Sequence, residues 1–154
     1  MDITDLISPD GILPNLRASS KKQALQELAR KAADLTDLDS REIFDVLLER
    51  ERLGTTGVGH GIAIPHGKLA KLDRLYGVFA RLEKPIDFDS IDDEPVDLVF
   101  LLLAPETAGA DHLKALARVS RLLRDRSVCT KMRGCDTTDA IFALFSQVAA
   151  SNAA

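Results

Sequence analysis

Apolar positions along the chain follow two rhythms. From Ser20 onward, Ala24, Leu25, Leu28, Ala29, Ala32 and Leu35 fall on one helical stripe, and Ser20-Lys21-Lys22-Gln23 ahead of them has the form of a capping box. A second helix is expected from Ser40, preceded by Asp39, with Ile43, Phe44, Val46, Leu47 and Leu48 on its apolar face. Gly54 is placed to stop it, and Arg50 and Arg52 lie in its last turn, where cations complement the negative end of the helix dipole. Ile62-Ala63-Ile64 then reads as a short strand ending at Pro65-His66. Residues 76–82 form another, closed by Glu83-Lys84-Pro85, and residues 96–103 a third, whose near-continuous apolar run suits a strand covered on both faces. Asp111 is expected to cap a helix burying Leu113, Leu116, Ala117, Val119, Ser120 and Leu123, and Thr137 or Thr138 opens a last one through Phe142 and Phe145. This alternation predicts an α/β fold over residues 1–154, a single-domain sandwich with a mixed central β-sheet flanked by helices. The segment through Leu16 carries little signal, and no repeat, linker or low-complexity tract is evident.

Composition narrows the function. A 154-residue chain with 45% hydrophobic residues can build one core without splitting it. With 29% charged residues and a net charge of -4, it has no excess of positive charge for a nucleic-acid backbone to neutralise. The longest apolar stretch, residues 96–105, is interrupted by Asp97 and falls short of the roughly 20 residues that a bilayer span needs. The start Met1-Asp2-Ile3-Thr4-Asp5 lacks the basic and apolar regions of a signal peptide. The chain is therefore expected to be cytoplasmic, without membrane insertion or nucleic-acid binding. Cys129 and Cys135 match no metal, redox or disulfide framework and read as two reduced thiols.

The chemistry gathers at residues 55–68. Of the nine glycines, Gly54, Gly57, Gly59, Gly61 and Gly67 sit in or beside this stretch, where sparse side-chain cover lets amide N–H groups approach an anion. A dinucleotide fingerprint would need glycine at Ile62, and no glycine here is followed by the Lys-Ser or Lys-Thr of a nucleotide loop, so no ATP, NAD or other cofactor is expected. By themselves the glycines read as a turn between helix and strand. His66 adds a nucleophile: Pro65 fixes the backbone before it at a sheet end, and neutral imidazole forms a covalent phosphoramidate. His112 stands at a helix start in the connection after the strand of residues 96–103. If that strand runs parallel to the one ending at His66, both imidazoles and a helix N-terminus meet at one sheet edge, and Arg50 can add a guanidinium fork for phosphoryl oxygens.

Arg50-Glu51 and Gly61-Ile62-Ala63-Ile64-Pro65-His66-Gly67-Lys68, with Asp111-His112-Leu113 further on, resemble the signature of the fructose, mannitol and nitrogen enzyme IIA domains of the bacterial phosphotransferase system. The likeness runs from the helix start near residue 20 through Pro85-Ile86-Asp87-Phe88-Asp89-Ser90-Ile91-Asp92. It implies a phosphotransferase-type carrier with His66 as phosphoryl acceptor, His112 as its hydrogen-bonding partner and Arg50 as the charge that steadies the phosphate. Thr56 stands where the family commonly has Ser or Thr and is expected to reach a phosphoryl oxygen. His60 departs from the pattern and inherits no role. Gly54-Thr55-Thr56-Gly57-Val58-Gly59, and a chain that ends at Ala154 without a fused permease or carrier, look most like the nitrogen branch. That branch implies a histidine phosphocarrier (HPr- or NPr-like) as donor and regulated target proteins as output. Two other readings stand beside it: the same chemistry serving a separately encoded fructose- or mannitol-type permease, and a noncatalytic metal-binding or interaction module using His60, His66 and His112, whose spacing matches no standard zinc pattern.

Overall fold

The long apolar run occupies the middle of a six-stranded mixed sheet in the computed structural model of the chain, which describes residues 1–153. In chain order the elements are α1 (Ile3–Leu6), β1 (Ile12–Leu16), α2 (Lys21–Thr36), α3 (Ser40–Arg52), β2 (Gly57–Gly59), β3 (Ile62–Ala63) and β4 (His66–Leu69). They continue with β5 (Tyr76–Ile86), β6 (Val96–Pro105), α4 (Ala110–Arg124), α5 (Arg126–Arg133) and α6 (Thr138–Ala153). β5 pairs antiparallel with β6 on one side, and β1 lies parallel to β5 at that edge. On the other side β3 and β4 both run parallel to β6, two pieces of one path interrupted at Ile64-Pro65, and β2 folds back antiparallel on β3.

Alternation along β6 divides the interior into two cores. Val99, Leu101 and Leu103 pack with Leu25, Leu28, Ile43 and Leu47 of α2 and α3, while Leu98, Phe100 and Leu102 pack with Val119, Met132, Ile141 and Phe145 of α4, α5 and α6. All six β6 residues are fully buried, and each such side chain stabilises the fold by about 1.5 to 3 kcal/mol relative to exposure. This is the strand covered on both faces that the apolar run predicts.

The structure departs from the expected elements at several points, each for a local reason. Residues before Leu16 are ordered: α1, a 3-10 turn at Pro9–Gly11 and β1. β1 contains Pro14, which has no N–H to give, and the strand is tolerated because it lies at the sheet edge. At α2 the Ser20 hydroxyl caps Gln23 N at 3.1 Å, but the Gln23 side chain accepts from Ser19 N at 2.7 Å, one residue earlier than a capping box requires. Asp39 caps α3, and Ser40 is its first residue. β5 runs beyond Leu82 through Pro85 to Ile86, after a register irregularity between Arg81 and Ile86.

The helix after β6 is capped by Gly109 at φ 54° and not by Asp111, which lies in the first turn without a capping hydrogen bond. Its buried face is rotated accordingly: His112, Ala115, Val119, Leu122 and Leu123 point inward, and Leu113 is 70% exposed. α5, not expected from the sequence, is opened by Asp125, whose carboxylate accepts from Ser127 N and Val128 N. Thr137 caps the last helix by accepting from Ala140 N at 3.2 Å.

Candidate functional site

Proline at 65 cannot supply a ladder N–H, so the path beside β6 breaks there and the Ile64 carbonyl stays outside the sheet pairing. That carbonyl lies 2.9 Å from His66 Nδ1. A carbonyl only accepts, so the proton sits on Nδ1 and the lone pair on Nε2. Arg50 Nε donates to this Nε2 at 3.3 Å, and Arg50 Nη1 donates to Gly54 O at 2.8 Å, which ties the guanidinium to the turn ending α3. His66 opens β4, in register with Leu102, and the sheet continues past it to Leu69. It is therefore carried on a strand and not beyond a strand end. Gly67 allows α3 to approach β4: a Cβ there would lie 2.5 Å from Val46 Cγ1, so a side chain would push away the helix that carries Arg50.

Because β3, β4 and β6 run parallel, the start of α4 comes to the same place, as expected. The rings of His66 and His112 meet edge to face with centroids 5.8 Å apart. His112 is 6% exposed, and its Nε2 is buried without a hydrogen-bond partner among the described residues. Burial lowers the His66 pKa below its ordinary 6.5, and the Arg50 charge pushes the same way against the opposing Ile64 hydrogen bond and Glu51 charge. Burial also lowers the His112 pKa, with His66 and Lys68 adding to the effect. The arrangement is a neutral nucleophilic nitrogen with a guanidinium on one side and a second, buried imidazole on the other.

Thr56 is also beside the site but occupied otherwise. Its hydroxyl donates to Glu51 Oε1 and its N–H to Glu51 Oε2 at 3.1 Å, so its one side-chain donor is already used. Glu51 is the residue that sequence reasoning leaves without a role. Only 8% exposed, it is balanced by Lys21 Nζ at 2.7 Å, and it ties α2, the end of α3 and the start of the glycine-rich segment together next to Arg50. Its signal is a carboxylate on the same stripe as Ile43 and Leu47, where a solvated acid does not belong.

The glycine-rich segment is a β-hairpin and not an open loop. Gly57 lies against Ser90 and Gly59 against Asp92, where a Cβ would meet their side chains at 2.5 Å and 3.1 Å. Its turn, His60-Gly61, has positive φ at both residues, 56° and 80°. His60 N donates to Asp92 and its carbonyl accepts from Arg133 Nη2, apart from the pair formed by His66 and His112. No group of three potential metal ligands is present among the described residues.

Residues 5–148 match the family described as the phosphoenolpyruvate-dependent sugar phosphotransferase system, EIIA 2. The nitrogen regulatory protein of Bradyrhizobium diazoefficiens is 62% identical over 146 residues, 95% of each chain. That of Escherichia coli is 36% identical over 147 residues, 95% of this chain and 90% of the relative. The crystal structure of nitrogen regulatory protein IIA-Ntr from Neisseria meningitidis superposes with a TM-score of 0.88 at 31% identity, covering 93% of this chain and 98% of the other.

Proposed function

Because this chain belongs to the EIIA 2 family of the phosphotransferase system, on its nitrogen-regulatory branch, we propose that it accepts a phosphoryl group on His66 Nε2 from a histidine phosphocarrier (HPr- or NPr-like) and regulates target proteins through that modification. The observation that carries the reading is the hydrogen bond from His66 Nδ1 to Ile64, which puts the nucleophilic lone pair on Nε2, the nitrogen that faces Arg50. In the transfer, Nε2 forms a bond to phosphorus as the bond from phosphorus to the donor imidazole breaks, and the electron pair of that bond returns to the donor nitrogen. No net proton is consumed. Arg50 gives up its contact with Nε2 and turns its N–H groups to the phosphoryl oxygens, and His112 offers its unpartnered nitrogen to the same group. Thr56 acts through Glu51, holding the segment beside Arg50.

Incubation with phosphorylated donor followed by mass spectrometry tests the assignment. One phosphoryl group is expected, lost in acid and kept in alkali, as for a phosphoramidate. A label that vanishes in alkali points to a carboxylate and overturns it. The lowered pKa has a sign that can be checked as well: the imidazole stays neutral as pH falls through 6.5 and gains its second proton only below that value. An NMR titration of His66 with a midpoint at or above 6.5 contradicts the geometry.

Docking is expected to use the apolar side chains that flank the pair. Leu53, just after α3, is 86% exposed and Leu113, next to His112, is 70% exposed; Lys114 follows Leu113 in the chain, and the charge of Lys68 is felt at His112. Such a patch suits a small transient interface with an acidic rim on the donor. The association rate is expected to fall as salt is raised past about 0.1 M, where the Debye length is about 10 Å. Stopped-flow rates that do not change with ionic strength would rule out this charge steering.

A further inference from the structure

On the sheet face opposite α2 and α3, the hairpin, the end of α4 and the start of α5 enclose a cavity of about 590 Å³. This volume is that of a small-molecule site and not of a flat protein contact. Its wall includes the half-exposed Val58, and its floor is formed by the edges of Ile62, Ile64 and Leu123, whose side chains belong to the apolar core. Its charged lining is of one sign: Arg124, Arg126 and Arg133 contribute guanidiniums, and neither Asp nor Glu lines it. Arg133 is held by Asp97, with Nε 3.0 Å and 2.9 Å from the two carboxylate oxygens. Arg124 and Arg126 make no ion pair among the described residues, and the Asp125 carboxylate between them is turned to the α5 amides. Two guanidiniums without an ion pair at a concave surface of mixed polarity raise the local concentration of anions and match oxygens in pairs.

We infer that this cavity binds a small organic anion carrying at least two negative charges, its charged end between Arg124 and Arg126 and its carbon skeleton against Val58 and the edge of Ile62. The charged group is a phosphoester or a carboxylate, since both present the paired oxygens that a guanidinium fork takes. The site is separate from the His66 pocket, although Ile64 belongs to both: it lines the cavity, and its carbonyl receives His66 Nδ1.

Titrating the unphosphorylated protein with fructose 1,6-bisphosphate and, separately, with citrate tests this by calorimetry and by NMR of the backbone amides. At least one probe is expected to saturate a single site with Kd at or below about 1 mM. The amides of Ile62, Ile64 and Cys129 should shift, and the tighter probe identifies the headgroup. Arg124→Gln combined with Arg126→Gln, both at exposed positions, is expected to weaken binding at least tenfold while the circular dichroism spectrum stays unchanged. Arg30→Gln with Arg41→Gln removes the same charge from α2 and α3 and should leave binding within about twofold, because the cavity lies across the sheet. Equal losses in the two double variants, or no saturation by either probe, overturn the inference. So does binding of polyglutamate alone.

Discussion

His66→Ala is expected to abolish phosphoryl acceptance while leaving a folded protein. The substitution removes the imidazole whose lone pair the Ile64 hydrogen bond puts on Nε2, and neither neighbour is expected to take its place: a guanidinium has only donors to offer, and the unpartnered nitrogen of His112 is buried. The structural cost is small because His66 is only half-buried and loses two hydrogen bonds at one edge of the core. Each bond contributes about 1 kcal/mol, so the unfolding midpoint is expected to drop by only a few degrees. Labelling with phosphorylated donor reads the first effect and thermal unfolding the second. A variant that still labels at the wild-type rate would sink the proposed role of His66 and leave the family assignment intact.

Arg50→Ala and His112→Ala are expected to slow the transfer without stopping it. Neither residue forms the bond to phosphorus, but charge spreads over the phosphoryl oxygens in a loose transition state, where positioning and electrostatics do most of the catalysis. Loss of one such contact typically costs about 2 to 4 kcal/mol, or roughly 30- to 1000-fold in rate. The two variants differ in a second readout. Arg50 helps hold the His66 pKa down, so Arg50→Ala should move the His66 titration upward, and Arg50→Lys should keep that pKa lowered while recovering only part of the rate, since an ammonium keeps the charge but not the planar fork. Normal transfer rates in both alanine variants, or phosphate found on His112 in the wild type, would show that these roles are wrongly assigned.

Much of this site was legible as residue types in order. Pro65-His66, the arginine in the last turn of α3 and the histidine at the start of α4 were each visible; the parallel pairing of β4 with β6 brought the two histidines together, and the packing of α3 on β4 brought the arginine. Glu51 went unassigned because a carboxylate on an apolar stripe reads as an irregularity until Lys21 and the Thr56 amide are seen to balance it. Thr56 carried the right residue type for a phosphate ligand, but a hydroxyl has a single proton, and here Glu51 takes it. The glycines suggested an anion cradle because their backbone freedom is a local property. What requires them is the approach of Ser90, Asp92 and Arg133 from distant parts of the chain.

The sequence by itself determined the helix stripes of α2 and α3, the doubly covered strand β6 and the residue types of the proposed site, because periodicity, capping and side-chain chemistry are written into neighbouring residues. Tertiary structure alone decided which way α4 faces. A helix with leucines at 113, 116, 122 and 123 can present more than one apolar stripe, and the one buried includes His112, leaving Leu113 to solvent. It also decided that the weakly patterned chain before Leu16 adds an edge strand, since the unpaired edge of β5 can be satisfied only by a segment that returns to it in space. The tautomer of His66 follows in the same way: Pro65, directly after Ile64, leaves the Ile64 carbonyl outside the ladder, and the folded strand places that carbonyl at Nδ1.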